Sequence, residues 1–414
     1  MNSIITLFKS KELRNKVLFS ILLLFIFRII SYIPVPWTNL ELLKTVSDSS
    51  GLLSFANMFS GGALSKYTMG ATGISAYISA SIIIQVITFI SPTMHQISKE
   101  PGGSYKIKRL TIFFGILSAI LSSIVTTYTL NKTYSILTNE KWYVYAIIAI
   151  LHAIGTAIAI WVGETITEKG FGEGVSLLIF LNIVTGIPSQ ISTIISNHKT
   201  GNLSTKSIIA IIITIAIIIV MITLSEITER RVPVRYTKAS IKDSNTVFES
   251  YFPLKLNLTG VMPVIFANYL FMLAYFVVEL INNEKATAFF EKISTGTYGY
   301  AIIMGIIVFI FTFGYSFISI DVKEISKSIQ IQGGIIPGIR QGDDTQKYLK
   351  IVVKTLTILN ALYLTLVLVI PLIIFTYFDV TILSSTSIII MVNVSLSTVK
   401  SLYVETKLRE DKKL

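Results

Sequence analysis

The sequence has no cysteine, which excludes disulfide staples, thiolate metal ligands and cysteine nucleophiles. Charge is scarce as well: Asp, Glu, Lys and Arg make up 14% of the 414 residues, against about a quarter in an ordinary soluble domain. Only three histidines occur, His95, His152 and His198, and none stands in an HExxH pair or among carboxylates at metal-ligand spacing. GxSxG and GxxxxGK[ST] are missing too, so neither a serine nucleophile elbow nor a phosphate loop is available. The expectation is therefore a chain that is not an enzyme and holds no cofactor or metal. Any nucleotide hydrolysis coupled to it must come from a partner.

What is present is apolar: 52% of the residues are hydrophobic, in runs long enough to cross a bilayer. At roughly 20 residues per crossing, the runs predict ten spans near 17–34, 73–91, 109–129, 142–162, 174–194, 206–226, 257–281, 298–318, 351–371 and 382–399. The first looks superficially like a signal peptide, but it is span-sized, with Arg28 and the SYIPVP run in place of a small-residue cleavage site. Net charge is +12, spread between the apolar blocks instead of along one stripe, which reads as membrane topology and a docking face, not nucleic-acid binding. One set of alternate segments carries 25 Lys and Arg and the other 8, so the positive-inside rule puts both termini in the cytoplasm.

The stretch from Gly51 to Glu100 departs from this regular pattern. Its first part, about 51–72, is studded with glycine and too weakly apolar to span, while a plausible span starts only near Gly73. Irregular backbone cannot face lipid with its peptide groups unbonded, so that first part is expected to be buried in protein or to line a watery cavity. Two larger loops follow late in the chain. In 227–256, ERRVPVRYTK alternates Val, Val and Tyr with basic residues, predicting a short β-hairpin arm. In 319–350, QGGIIPGIRQGDDTQKYLK is broken by Gly-Gly, Pro-Gly and Gly-Asp, predicting an exposed turn that presents Arg340.

Ionisable residues inside spans mark ion or proton pathways when they sit at the midplane. Arg28, Glu164, Glu226 and Lys354 all fall near span ends instead. The midplane holds Ser75, Ser79, Ser81, Gln85, Asn182, Asn268 and Asn393, which fit either helix–helix glue or a wettable wall that parts for a passing segment. His152 in the fourth span reads as a hydrogen-bonded packing residue. Glycines at 170, 172 and 174 imitate a dinucleotide fingerprint, but no strand precedes them, so they read as a flexible lead-in to a span. Ile74/Ile78 and Ile179/Ile183, at helical spacing, fit packing or a hydrophobic constriction.

Five stretches, GGALSKYTMGATGISAYISASIIIQ, GEGVSLLIFLNIVTGIP, ERRVPVRYTK, FPLKLNLTGVMPVIFA and QGGIIPGIRQGDDT, closely resemble in order the signature segments of the SecY family, the channel subunits of bacterial protein translocases. The resemblance implies an all-α polytopic protein of the bacterial plasma membrane. Its ten transmembrane helices would form two inverted five-helix halves, 1–200 and 201–414, around a central pore. It implies a plug over about Gly51–Thr72, including Leu53, Phe55, Asn57, Met58 and Phe59. A pore ring of Ile74, Ile78, Ile179, Ile183, Ile265 and Ile390 is implied in the same way, Ile390 being one of three adjacent isoleucines. Spans two and seven would flank a lateral gate, with Ser79, Ser81, Gln85 and Asn268 as its polar lining. Arg340, Arg230, Arg231, Arg235 and Lys238 would serve a SecA-type motor ATPase, with Lys238 equally explained by positive-inside charge alone. SecE-like and SecG-like small membrane subunits, signal-bearing preproteins and membrane lipids are the further partners implied.

The chain also departs from the family pattern: TMHQISKEPGGSYKIKRL lacks the Gly-Arg-Arg run, and Gln341 stands where Pro is expected. With its heavy use of Ile, Lys and Asn, this resembles the accessory SecY of Gram-positive bacteria, which works with its own SecA to export serine-rich glycoprotein adhesins. A housekeeping SecY is the alternative. A secondary transporter would need midplane charges, and a membrane scaffold would have no use for an isoleucine constriction.

Overall fold

The structure is a computed structural model, and it describes residues 11–39, 60–201, 203–236, 251–257, 259–281, 289–290, 292–293, 296–378 and 385–411. Among these lie twelve helices and four short strands. The first half of the chain gives α1 (Lys11–Ile30), α2 (Gly73–Ile90), α3 (Pro92–Lys99), α4 (Gly103–Tyr134), α5 (Trp142–Lys169) and α6 (Gly174–Lys199). Then come α7 (Thr205–Ile227), β1 (Glu229–Pro233), β2 (Arg235–Tyr236), β3 (Tyr251–Lys255), α8 (Met262–Ile281), α9 (Tyr298–Ser319), α10 (Val322–Ile331), β4 (Gly334–Ile335), α11 (Asp343–Tyr377) and α12 (Ser385–Asp411).

Every expected span is helical, but the helices are unequal. Among the described residues seven are long and apolar enough to cross a membrane, or eight if α2 and α3, bent by 102° at the break before Pro92, count as one. α8 has 20 residues, and α1 carries five charged residues in its length. α11 has 35 residues, which at 1.5 Å each is about 52 Å and overshoots a hydrocarbon core of about 30 Å. It therefore projects well beyond the bilayer.

Helices α1, α2, α4, α5 and α6 pack on one another, as do α7 to α12, and the two groups meet where α2 touches α8 and α6 touches α12. Lys16 near the start of α1 pairs with Glu405 near the end of α12, so both described ends lie on one side of the bundle. Lys99 of α3 reaches Asp321, the N-cap of α10, at 2.5 Å and so ties the first half of the chain to the second.

Residues 60–72 follow an irregular path, and their burial answers the bilayer constraint on unbonded backbone. Ala63, Tyr67 and Thr68 are buried, and the backbone pairs with the chain leaving α1 through Val35 N to Tyr67 O at 3.0 Å and Met69 N to Ile33 O at 3.0 Å. Side chains fasten the same segment to α4 and α5. The Tyr67 hydroxyl bonds Thr127 at 2.5 Å, and Thr72 bonds Thr156 at 3.2 Å. At Gly155 a Cβ would lie 2.0 Å from the Met69 carbonyl, so only glycine lets α5 come this close.

Candidate functional site: an isoleucine ring beneath a polar vestibule

The six isoleucines come from four helices: Ile74 and Ile78 from α2, Ile179 and Ile183 from α6, Ile265 from α8 and Ile390 from α12. Their exposures are 0–3%, and all six belong to one contiguous apolar cluster. With stiff β-branched side chains filling the space between α2, α6, α8 and α12, the centre of the bundle is dry. Burial does not set Ile390 apart from Ile388 and Ile389 beside it.

A cavity of ≈ 900 Å³ opens on one side of this cluster. Its walls continue the helix faces that carry the isoleucines. On α12 they are Asn393, Val394, Ser397, Lys400, Ser401 and Val404, three to four residues apart and in step with Ile390. On α6 Ser176 stands one turn before Ile179, and Val261 and Met262 stand one turn before Ile265. The lining mixes hydroxyls and amides with aliphatic groups, so the cavity is a wettable vestibule, and Val261 and Val394 of its wall belong to the same apolar cluster as the isoleucines. Within the vestibule wall Glu226 accepts from Lys400 at 2.8 Å and from Asn257 at 3.2 Å.

The four gate candidates lie on the facing helices α2 and α8, but their hydrogen bonds stay close to home. Ser79 donates to the Ser75 carbonyl at 3.1 Å, and Gln85 donates to Ser81 Oγ at 2.9 Å. Asn268 donates to the Val264 carbonyl at 2.8 Å and accepts from Tyr300 of α9 at 3.5 Å. These bonds of the four residues stay within α2, within α8 or run to α9, and separating α2 from α8 breaks none of them.

The structure forms the expected antiparallel pair within 227–256 but joins it to the following loop. β1 pairs antiparallel with β3, with Val232 opposite Phe252, while β2 pairs with β4 of the following loop, Arg235 opposite Ile335. Alternation in RRVPV sends Val232 and Val234 inward, where they join Leu254, Ile329, Ile336, Leu349 and Val353 in a separate apolar cluster. The two loops therefore form one platform instead of two independent arms. Arg230, Arg235 and Arg340 are exposed on it. Arg231 lies 2.9 Å from Glu229, whose carboxylate holds the guanidinium above its ordinary pKa, and it stacks on Tyr251 at 4.6 Å. Gln341 donates to the Gly334 carbonyl at 3.1 Å, a bond that proline at this position could not make.

The sequence readings at other positions meet the structure as follows. His152 is buried and bonds Ser123 of α4 at 2.6 Å through Nδ1, with its ring edge-on to Tyr67 at 5.2 Å, in accord with a packing role. The glycine-rich lead-in at 170–174 is a tight turn and not a flexible one. Phe171 N donates to Ser20 Oγ and Gly174 N to Thr167 Oγ1, and a Cβ on Gly174 would sit 1.9 Å from the Gly163 carbonyl. Arg28 donates to the Gly61 carbonyl at 2.8 Å and Lys108 reaches Glu164 at 3.2 Å, so these span-end charges are bonded. Leu53, Phe55, Asn57, Met58, Phe59 and Lys238 lie outside the described residues. Sequence reasoning overlooked Asn257 and Lys400 as partners of Glu226, because residues separated by 31 and 174 positions share no local pattern.

The SecY family model matches residues 68–399. The chain is 31% identical over 414 residues to the protein translocase subunit SecY of Helicobacter pylori strain J99, covering 98% of this chain and 99% of that one. It is 32% identical to the SecY subunit of Lactococcus lactis subsp. cremoris, with 95% and 93% covered. Among solved structures, one described as a protein conducting channel superposes with a TM-score of 0.69 at 17% identity over 95% of this chain and 93% of that one. Sec61 in a canine ribosome-channel complex from the endoplasmic reticulum gives 0.65 at 16% identity over 95% and 93%. The fold is thus shared with channels, and with this match along its length the chain belongs to the SecY family of protein translocase channel subunits, which are conduits and not enzymes.

Proposed function

We propose that this chain passes unfolded secretory polypeptides across the bacterial plasma membrane, with both termini in the cytoplasm, driven by a SecA-type motor docked on the β1–β4 platform. The observation that supports the reading is the burial of the six isoleucines in one apolar cluster that reaches the vestibule through Val261 and Val394; as a ring they would form a gasket that widens around a polypeptide and excludes hydrated ions when empty. In this reading ten spans form two five-helix halves, 1–200 and 201–414, with α2 and α8 parting as the lateral gate and a plug over about residues 51–72. Arg340, Arg230, Arg231, Arg235 and Lys238 meet the motor, and SecE-like and SecG-like subunits brace the bundle in the lipid.

For the duty of this channel, the missing Gly-Arg-Arg run and Gln341 support an accessory system that exports serine-rich glycoprotein adhesins. General secretion is the second reading, favoured by relatives of 31–32% identity that carry the plain subunit name over nearly their whole length. Depletion followed by comparison of the secreted proteome separates the two. Loss of a few large Ser-rich surface proteins with growth intact establishes the accessory duty, and collapse of growth and export together establishes the general one.

A further inference from the structure

Glu226 is the most enclosed charged residue of the vestibule wall, its side chain 8% exposed. It sits in the last turn of α7, where the helix dipole disfavours an anion and the final carbonyls lack partners. Lys400 of α12 answers both. Its Nζ donates to the Glu226 carboxylate at 2.8 Å and to the Glu226 carbonyl at 2.7 Å. Asn257, two residues beyond β3, donates Nδ2 to the other carboxylate oxygen at 3.2 Å.

One carboxylate therefore joins three segments that lead to different places. α7 runs directly into β1 of the platform, and Asn257 leaves β3, the partner of β1. α12 carries Ile390 ten residues before Lys400, about 15 Å down the helix. The pair is half-enclosed, with Glu226 buried and Lys400 39% exposed, so it adds little net stability, and the best-attested use of such a fixed pair is to set the register of one element against another. Here the elements whose register it fixes are the platform and a helix of the ring.

Resting on the channel reading above, we propose that Glu226 and Lys400 are a positioning pair, a clamp that carries displacement of the motor-loaded platform to α12 and so to Ile390. Without it the motor still docks and hydrolyses ATP, but its strokes are lost as slippage between α7 and α12.

The test uses the full chain reconstituted with its small subunits and a SecA-type motor in proteoliposomes, together with the same chain in detergent for distance measurement. The absence of cysteine permits spin labels at Ile227→Cys and Tyr403→Cys, both at exposed positions. In Glu226→Gln and Lys400→Met, motor binding is expected to stay within twofold, while preprotein moved per ATP falls about tenfold, within the range of coupling between contacting residues. The label distance distribution broadens at least twofold in the same variants. The exchange Glu226→Lys with Lys400→Glu recovers transport to about threefold of the parent, since the Asn257 amide serves either sign by turning its oxygen or its nitrogen. Equal loss of docking and transport, or narrow label distances and parental transport per ATP in Glu226→Gln, overturns the clamp. A parent that moves no preprotein, with labels that broaden in Glu226→Gln, overturns the channel reading and leaves the clamp standing.

Discussion

Two seams of the same molecule are built on opposite principles. Where residues 60–72 meet α4 and α5, polar side chains bond across the contact: Tyr67 to Thr127, Thr72 to Thr156, and Ser123 to His152 between α4 and α5. Where α2 meets α8, Ser79, Ser81 and Gln85 bond within their own helix, and Asn268 bonds its own helix and α9. In hydrocarbon, a bond across a contact must break before the contact opens, with no water to replace it. The first seam is therefore fixed by bonds across it, whereas none of these bonds crosses the second, which we propose is the one that parts, although their residue types are nearly the same. What distinguishes glue from gate is where the polar groups find their partners.

The largest expected effect comes from breaking the fixed seam at its tightest point. Gly155→Leu drives side-chain atoms into the Met69 carbonyl, which a Cβ alone would approach to 2.0 Å, and overpacking of this kind costs about 3 kcal/mol or more. Little folded protein is expected in the membrane fraction, and normal yield with an unchanged melting profile would remove the argument for a fixed wall. Next comes the ring between the two seams. Ile78→Gly with Ile183→Gly should leave the empty channel conducting ions in planar bilayers, since two of the six plugs of the dry cluster are gone. A tight resting seal would take these residues out of the ring.

Smaller effects sharpen the contrast. His152→Leu removes an interhelical bond and should cost about 0.6–1.7 kcal/mol in SDS unfolding titrations. Gln85→Leu should change stability by less than about 0.5 kcal/mol, as for substitutions that leave no buried partner behind. Its measurable consequence is on export of preproteins with weak signal sequences. Equal destabilisation by the two substitutions would erase the distinction between wall and gate. The mildest change is Arg340→Glu on the exposed platform tip: membrane insertion and folding stay normal while motor-driven export falls, and an unchanged secretion rate would exclude that residue from docking.

The plug can be tested only with attention to where the wall begins. Gly61 receives the Arg28 bond and Ala63 is 1% exposed, so a deletion reaching 60–65 removes part of the wall. A deletion confined to 55–59 probes gating without that damage.

Much of this protein was readable from order along the chain. Apolar length located the helices, because each must cross about 30 Å of hydrocarbon. Weak hydrophobicity with glycine marked about 51–72 as backbone that must be buried in protein or line a watery cavity, and of this stretch 60–72 is irregular with Ala63, Tyr67 and Thr68 buried. Helical spacing paired Ile74 with Ile78 and Ile179 with Ile183, since residues four apart share a face. Alternation foretold strands in ERRVPVR, but their partners came from Tyr251–Lys255 and Gly334–Ile335, because pairing depends on which edges meet in space. The same holds for the carboxylate of Glu226, whose partners stand 31 and 174 residues away, and for the choice between a bond across a seam and a bond within a helix. Periodicity is a property of one segment, whereas register, contact and the direction of a hydrogen bond belong to pairs of segments and are decided only when the chain is folded.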